Sequence, residues 1–261
     1  MLDDLTRSLR RPRLRDGLLT SSLVASLPAG AGVVAPSTSK GVETVPVFPS
    51  DIADPCSGGG ALFYRAAQRG DATDTFVRAS ADGPSGAWSV QFTTTGPDDR
   101  LYYHTYGYGI AYDDPGVGLA DITALGYDTC TDEGTLVPGL VLEVDLDGPG
   151  TSGIDEYTTV TFEPHHNHTV TPGEWQRWDV LSADAGVWLS EAAGKRSQPR
   201  PVTWDYLLER FPDATVKYGL GVGVEAGRSV LDSVCNVDNL TIGVDGETTR
   251  YDFDGRDTST R

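Results

Sequence analysis

The sequence predicts an all-β fold, an antiparallel sandwich, on three observations. Short apolar runs alternate with polar residues, as where Trp88, Val90 and Phe92 interleave with Ser89, Gln91 and Thr93, which is the period of a half-buried strand. The 31 Gly and 16 Pro are spread between such runs, as many strands joined by turns require. Only one segment shows a convincing helical period.

Taken in order, residues 36–60 are rich in Pro, Ser and Gly and read as a linker that becomes the domain edge. Within it, residues 42–48 make a candidate first strand. Pro46 has no N–H for a ladder, which confines that strand to an edge. The domain proper is expected over 61–255, with a tail at 256–261. After the strand at 88–93, residues 101–112 continue the alternation, and 122–129 follow the turn at Asp113-Asp114-Pro115-Gly116.

Leu140, Leu142, Val144 and Leu146 share one face of the next strand, with Val141, Glu143, Asp145 and Asp147 on the other. Residues 157–163 should pair with it across the Gly-rich turn at 148–153. Thr203 is a capable N-cap for a short helix at 204–211, with Trp204, Leu207, Leu208 and Phe211 at i, i+3, i+4 and i+7 and Pro212 ending it. That helix should lie as a lid on the sandwich. Val216, Tyr218, Leu220, Val222 and Val224 then alternate, and two strands close the domain near 237–242 and 248–253.

Residues 1–35 differ from the rest. Arg7, Arg10, Arg11, Arg13 and Arg15 precede a weakly apolar, charge-free stretch ending in Val33-Val34-Ala35, the organisation of a signal peptide. Pro28, Gly30 and Gly32 interrupt the apolar part, so it makes a poor membrane span. The expected product is secreted. The net charge is -18, and losing five Arg and three Asp with the leader would carry it to -20. A surface this acidic repels phosphate backbones and anionic lipid, which argues against nucleic acid and, after leader removal, membrane as partners.

Cys56, Cys130 and Cys235 lack metal-binding spacing. In an oxidising compartment one disulfide, Cys130 with Cys235, is the expected arrangement, and buried free thiols are the alternative. The indole rings of the C-terminal half are expected to seal the seam between the two layers.

Several landmarks carry a resemblance. They are Leu119-Ala120-Asp121-Ile122-Thr123-Ala124-Leu125, Tyr157-Thr158-Thr159 with Phe162-Glu163-Pro164, the turn Gly173-Glu174-Trp175-Gln176-Arg177-Trp178-Asp179, Trp188 with Thr203-Trp204, and Val237-Asp238-Asn239-Leu240 closing at Tyr251-Asp252-Phe253. Over residues 119–254 the chain resembles uncharacterised secreted bacterial jelly-roll proteins, related in plan to carbohydrate-binding and laminin-G-like sandwiches. The resemblance implies a jelly-roll architecture and brings no activity or catalytic residues. The indoles then read first as packing, and Asp238, Asn239 and Asp252 as groups that satisfy backbone polar atoms at strand ends.

Four constellations could carry chemistry. Tyr102, His104, Tyr106, Tyr108 and Tyr112 share one parity, with Tyr103 opposite. Flat rings with polar edges stack on sugar C–H faces, whereas a purely structural ladder would turn one side into the core. Glu143, Asp145 and Asp147 resemble the Glu-x-Asp-x-Glu strand of laminarinase-like retaining glycosidases, with Asp in place of the final Glu, and crowded carboxylates raise a pKa as an acid catalyst requires. His165, His166 and His168 lie beside Glu163 in what reads as an exposed loop, and imidazoles so grouped bind divalent ions or transfer protons.

Asp54, Asp252 and Asp254 offer carboxylates near both ends for a structural calcium ion, although no compact calcium loop is visible. No other cofactor is expected. No nucleophile elbow, phosphate loop or dinucleotide fingerprint occurs. The functional expectation is a non-catalytic, glycan-binding or surface-associated module whose partner is a polysaccharide or other glycan. The alternative is a glycan-cleaving enzyme, a laminarinase-like hydrolase or a polysaccharide lyase, and an extracellular structural domain without a small ligand is the third reading.

Overall fold

A computed structural model of the chain describes residues 41–54, 61–78, 83, 86, 88–105, 116–148, 157–190, 200–225 and 232–255. The proposed leader therefore lies outside the described residues. In chain order the strands are β1 (Glu43–Val47), β2 (Ile52–Ala53), β3 (Phe63–Arg69), β4 (Thr73–Arg78), β5 (Trp88–Thr94), β6 (Arg100–Thr105), β7 (Val117–Gly118), β8 (Ile122–Thr131), β9 (Gly139–Asp145), β10 (Tyr157–Phe162), β11 (Gln176–Asp179), β12 (Trp188–Leu189), β13 (Thr215–Glu225), β14 (Ser233–Val244) and β15 (Glu247–Phe253). The α-helices among the described residues are α1 (Pro164–Asn167) and α2 (Trp204–Arg210).

The strands form two sheets. The first is built around β14, whose N-terminal half pairs with β5 and whose C-terminal half pairs with β15, while β8 runs along its other side. β4, β1 and β11 extend this sheet beyond β5, β15 and β8 respectively. The second sheet has the order β12-β10-β9-β13-β6-β3-β2, with β7 also on β13. Pairing is antiparallel except for β1 with β15 and β2 with β3, so both parallel pairs place short N-terminal strands on sheet edges. Pro46 sits in β1, on the outside of that edge, where no ladder lacks its N–H.

The core lies between the sheets, and alternation selects its members: Val90 and Phe92 from β5, Leu140, Leu142 and Val144 from β9, and Leu220, Val222 and Val224 from β13 are all buried. Rings cross the gap, with Phe92 of the first sheet 5.2 Å from Tyr103 of the second, Phe253 5.5 Å from Phe63, and Tyr127 6.4 Å from Phe162. These bridging pairs are phenyl and phenol rings; of the expected indoles, Trp178 and Trp204 are buried in the same core. Trp178 and Trp188 lie on the flanking strands β11 and β12, and Trp204 opens α2. The gap between two sheets is about 10 Å, which single rings from each face fill.

At the β3–β4 side, Arg65 of the second sheet holds Asp74 of the first through two N–H···O bonds of 2.8 and 2.9 Å. Burial alone would raise the Asp74 pKa, but the bonds from Arg65 and Tyr103 outweigh it and hold the carboxyl below its usual value. Helix α2 forms where the sequence predicts it. The Thr203 hydroxyl accepts the Tyr206 N–H at 3.3 Å, and Trp204 and Leu207 enter the core.

Three expectations are corrected. Cys130 and Cys235 are both buried free thiols. Cys130 pairs opposite Asn236 and Cys235 opposite Thr131, and adjacent positions on a strand face opposite ways, so the two sulfurs project from opposite faces of one sheet. The alternation through 216–224 is interrupted by a bulge between Val216 and Gly219, which brings Leu220, four residues on, opposite Leu142 while Val216 stands opposite Val144. Finally, Asp147 lies beyond the end of β9, in a bend after Asp145, so only two of the three carboxylates are on the strand.

The Val237-Asp238-Asn239 landmark closes a second irregularity, where β14 slips against β8 and Asn239 adopts φ 53°. Asp238 Oδ1 accepts the N–H groups of Asn239 at 2.7 Å and Phe253 at 3.0 Å. Asn239 Nδ2 donates to Asp128, and Arg177 donates to the Asn239 carbonyl and the Thr241 hydroxyl. These side chains satisfy backbone groups that the slip takes out of the ladder.

Candidate functional site

The outer face of the second sheet carries the densest set of chemistry-bearing side chains. Residues paired across an antiparallel ladder project to the same side, so the register defines rows. One row runs Trp188, Thr161, Val141, Gly221, His104, Tyr64 from β12 to β3. A neighbouring row holds Thr159, Glu143 and Gly219, and the row on the other side holds Gly139, Gly223, Tyr102 and Ala66. At the far end Arg100 pairs with Glu225.

Strand β13 supplies only glycine to the middle of this face, and neighbouring rings use the space. A Cβ on Gly219 would stand 2.2 Å from His104 Nδ1, and one on Gly223 would stand 2.5 Å from Tyr102 Cδ1. The His104 imidazole therefore leans across β13 towards the row of Glu143. It is 1% exposed, its Nδ1 lies 3.4 Å from the Tyr64 hydroxyl, and its Nε2 has no hydrogen-bond partner. Burial pulls its pKa down to about 4, so the ring is neutral at neutral pH.

Tyr102 is also buried, and its hydroxyl donates to Glu225 at 3.0 Å. Tyr103 faces the other way, into the core, as parity predicts. Tyr106, Tyr108 and Tyr112 lie outside the described residues.

On β9, Glu143 is half-buried. Burial raises its pKa, and a hydrogen bond from Tyr157 only partly opposes that. Asp145 is buried and ion-paired to Lys217 at 3.2 Å, which satisfies the carboxylate within the fold. The exposed Asp147 offers its backbone N–H to Asp145 Oδ1 at 3.3 Å. Together, a neutral imidazole with a bare nitrogen, a carboxyl whose pKa burial raises, and the phenols of Tyr64 and Tyr157 form a set that can grip hydroxyl groups or move a proton.

The histidine cluster sits at the end of β10. The segment is not an open loop: Pro164 starts the one-turn helix α1, and the His165 and His166 rings lie 3.9 Å apart, with His166 also 5.3 Å from Trp188. His166 Nε2 is 3.8 Å from Glu163 Oε2. One ligand atom from each of Glu163, His165 and His166 lies within 4.8 Å of the others. Burial, followed by the neighbouring His166, brings the His165 pKa down to about 4. His168 is separate, stacked on Trp178 at 5.9 Å.

The carboxylates considered for calcium do not form such a group among the described residues. Asp54 is ion-paired to Arg65 at 3.0 Å, Asp252 lies in β15 opposite Pro46, and Asp254 is buried with its N–H on the Val47 carbonyl.

Sequence reasoning found Tyr102, His104 and Glu143 but not their companions. Tyr64, Tyr157 and Trp188 arrive from separate strands by register. The missed signal was the run Gly219, Gly221, Gly223, in which three consecutive outward positions of β13 are glycine.

Comparison with protein-family models, with curated proteins and with solved structures returns no match.

Proposed function

We propose that the protein is an exported sandwich that binds a glycan on the outer face of its second sheet, above β13. One observation carries the reading. That face sets phenol, imidazole, carboxyl and Thr groups around a glycine strip, with Tyr102, His104 and Val141 buried and Tyr64, Glu143, Tyr157, Thr159 and Thr161 half-buried beside them. Amphipathic rings and short hydroxyl side chains are what a sugar's C–H faces and hydroxyls require. The ion pairs Arg100–Glu225 and Lys217–Asp145 occupy charges on the same sheet, which favours a neutral or hydroxyl-rich ligand over a strongly charged one.

A second reading, cleavage of the bound glycan, rests on His104. A buried imidazole nitrogen without a partner costs stability, and active sites are where such groups are retained. In that reading His104 accepts a proton and Glu143, with its raised pKa, donates one.

Retention on a panel of immobilised polysaccharides, run with an assay for new reducing ends, tests both. Tyr64→Phe and Tyr157→Phe should weaken retention at least severalfold with unchanged circular dichroism. Equal retention by wild type and both variants across the panel would remove the binding reading. New reducing ends from wild type but not from His104→Asn would establish cleavage. Export belongs to the same proposal, supported by the basic-then-apolar order of residues 1–35; protein recovered from host culture medium should begin near residue 36.

A further inference from the structure

We propose that Glu163, His165 and His166 bind a divalent first-row transition-metal ion of the zinc class at the junction of β10 and α1. The inference does not depend on the glycan reading. Two imidazoles and one carboxylate suit zinc and its neighbours and not calcium or magnesium, which prefer all-oxygen shells. Three ligand atoms already lie within 4.8 Å of one another. A tetrahedral ion with bonds of about 2.0–2.1 Å needs ligand atoms about 3.4 Å apart, a contraction that side-chain rotation can supply.

The backbone under these ligands is held in place. Asn167 donates to the carbonyls of Glu163 at 2.9 Å and Gly186 at 3.0 Å, and accepts the Gly186 N–H at 2.6 Å. This clamp closes the one-turn helix on itself and ties its C-terminal end to the segment at Gly186. Pro164 restricts φ between the first two ligands, and Trp188 packs against the His166 ring. Within the cluster, the buried Nδ1 of His165 has no hydrogen-bond partner, which a coordinated or water-linked arrangement would resolve. Three protein ligands leave a fourth position for water or another small ligand.

The test uses the full chain, stripped with a chelator and titrated with zinc chloride by calorimetry, and with cobalt chloride by visible absorption. Wild type should take up one ion per chain and give the intense visible bands of four-coordinate cobalt. His166→Ala and Glu163→Gln should each weaken binding at least tenfold, while His168→Ala should bind as wild type does. Because His166 is exposed, its variant is expected to fold, which circular dichroism checks. The proposal is overturned if wild type and His166→Ala bind zinc equally, or if His168→Ala loses as much affinity as His166→Ala.

Discussion

Replacing Asp238 by Asn should abolish a pH dependence of stability that the fold builds into β14. The carboxyl is fully buried, its Oδ1 accepts two backbone N–H groups, and its Oδ2 has no partner. Burial is the largest influence and lifts the pKa from 3.8 to about 7; the two N–H bonds oppose it, and the nearby Asp252 and Asp128 add to it. In the unfolded chain the proton is lost near pH 3.9.

Between about pH 4 and 7 the native state therefore holds a proton that the unfolded state has released, so stability falls as pH rises through that window. A displacement of about three pKa units at 1.36 kcal/mol each corresponds to about 4 kcal/mol over the whole window. Between about pH 5 and pH 8 the linkage relation leaves about 3 kcal/mol. Asn keeps an oxygen for both N–H groups and cannot ionise.

Urea unfolding at both pH values, on wild type and Asp238→Asn, isolates the group. The raised pKa of Glu143 acts in the same direction and the lowered pKa of His104 in the opposite one, but both are shared by the two proteins. The difference between their pH slopes is the readout. Parallel pH profiles for the two proteins would refute the reasoning.

Further expected outcomes concern stability and redox state. Trp178→Phe removes the 2.7 Å bond from the indole N–H to Thr129 inside the core and should cost about 1–3 kcal/mol in chemical denaturation. Thr203→Ala should cost about 1 kcal/mol by removing the N-cap of α2, read as a lower melting temperature. Gly221→Ala would place a Cβ 1.7 Å from the Tyr103 carbonyl oxygen; backbone cannot yield as a side chain can, so soluble yield or cooperative unfolding should be lost. Alkylation in denaturant without reductant, read by peptide mass spectrometry, should label both Cys130 and Cys235, whereas a disulfide between them would leave both unlabelled.

Much of the fold was legible because strand and helix signals are local. Phe92 against Gln91, and Leu142 against Glu143, declare a period of two, and Thr203 with Pro212 brackets one short helix. The bulge at 216–219 was not legible, since it depends on how β13 meets β9. The disulfide expectation failed for a related reason. Two cysteines near strand ends look pairable until register assigns them to opposite faces.

The candidate site was legible only in part. Tyr102 and His104 announced themselves by parity, and Glu143 by its acidic strand, but their relation through Gly219 belongs to the sheet. Glu163 stayed with His165 and His166, as the sequence had them, and His168 left the group, because a one-turn helix replaced a loop.

By itself, then, the sequence determined the class of fold, most strand positions, the helix α2 and the acidic character of the chain, because each depends on neighbours within a few residues. Tertiary structure alone decided which rings bridge the sheets, which carboxylates are neutralised, and which side chains meet on the outer face. Those outcomes depend on pairing between strands far apart in the chain, where a shift of one residue reverses every side chain and no local pattern records the choice.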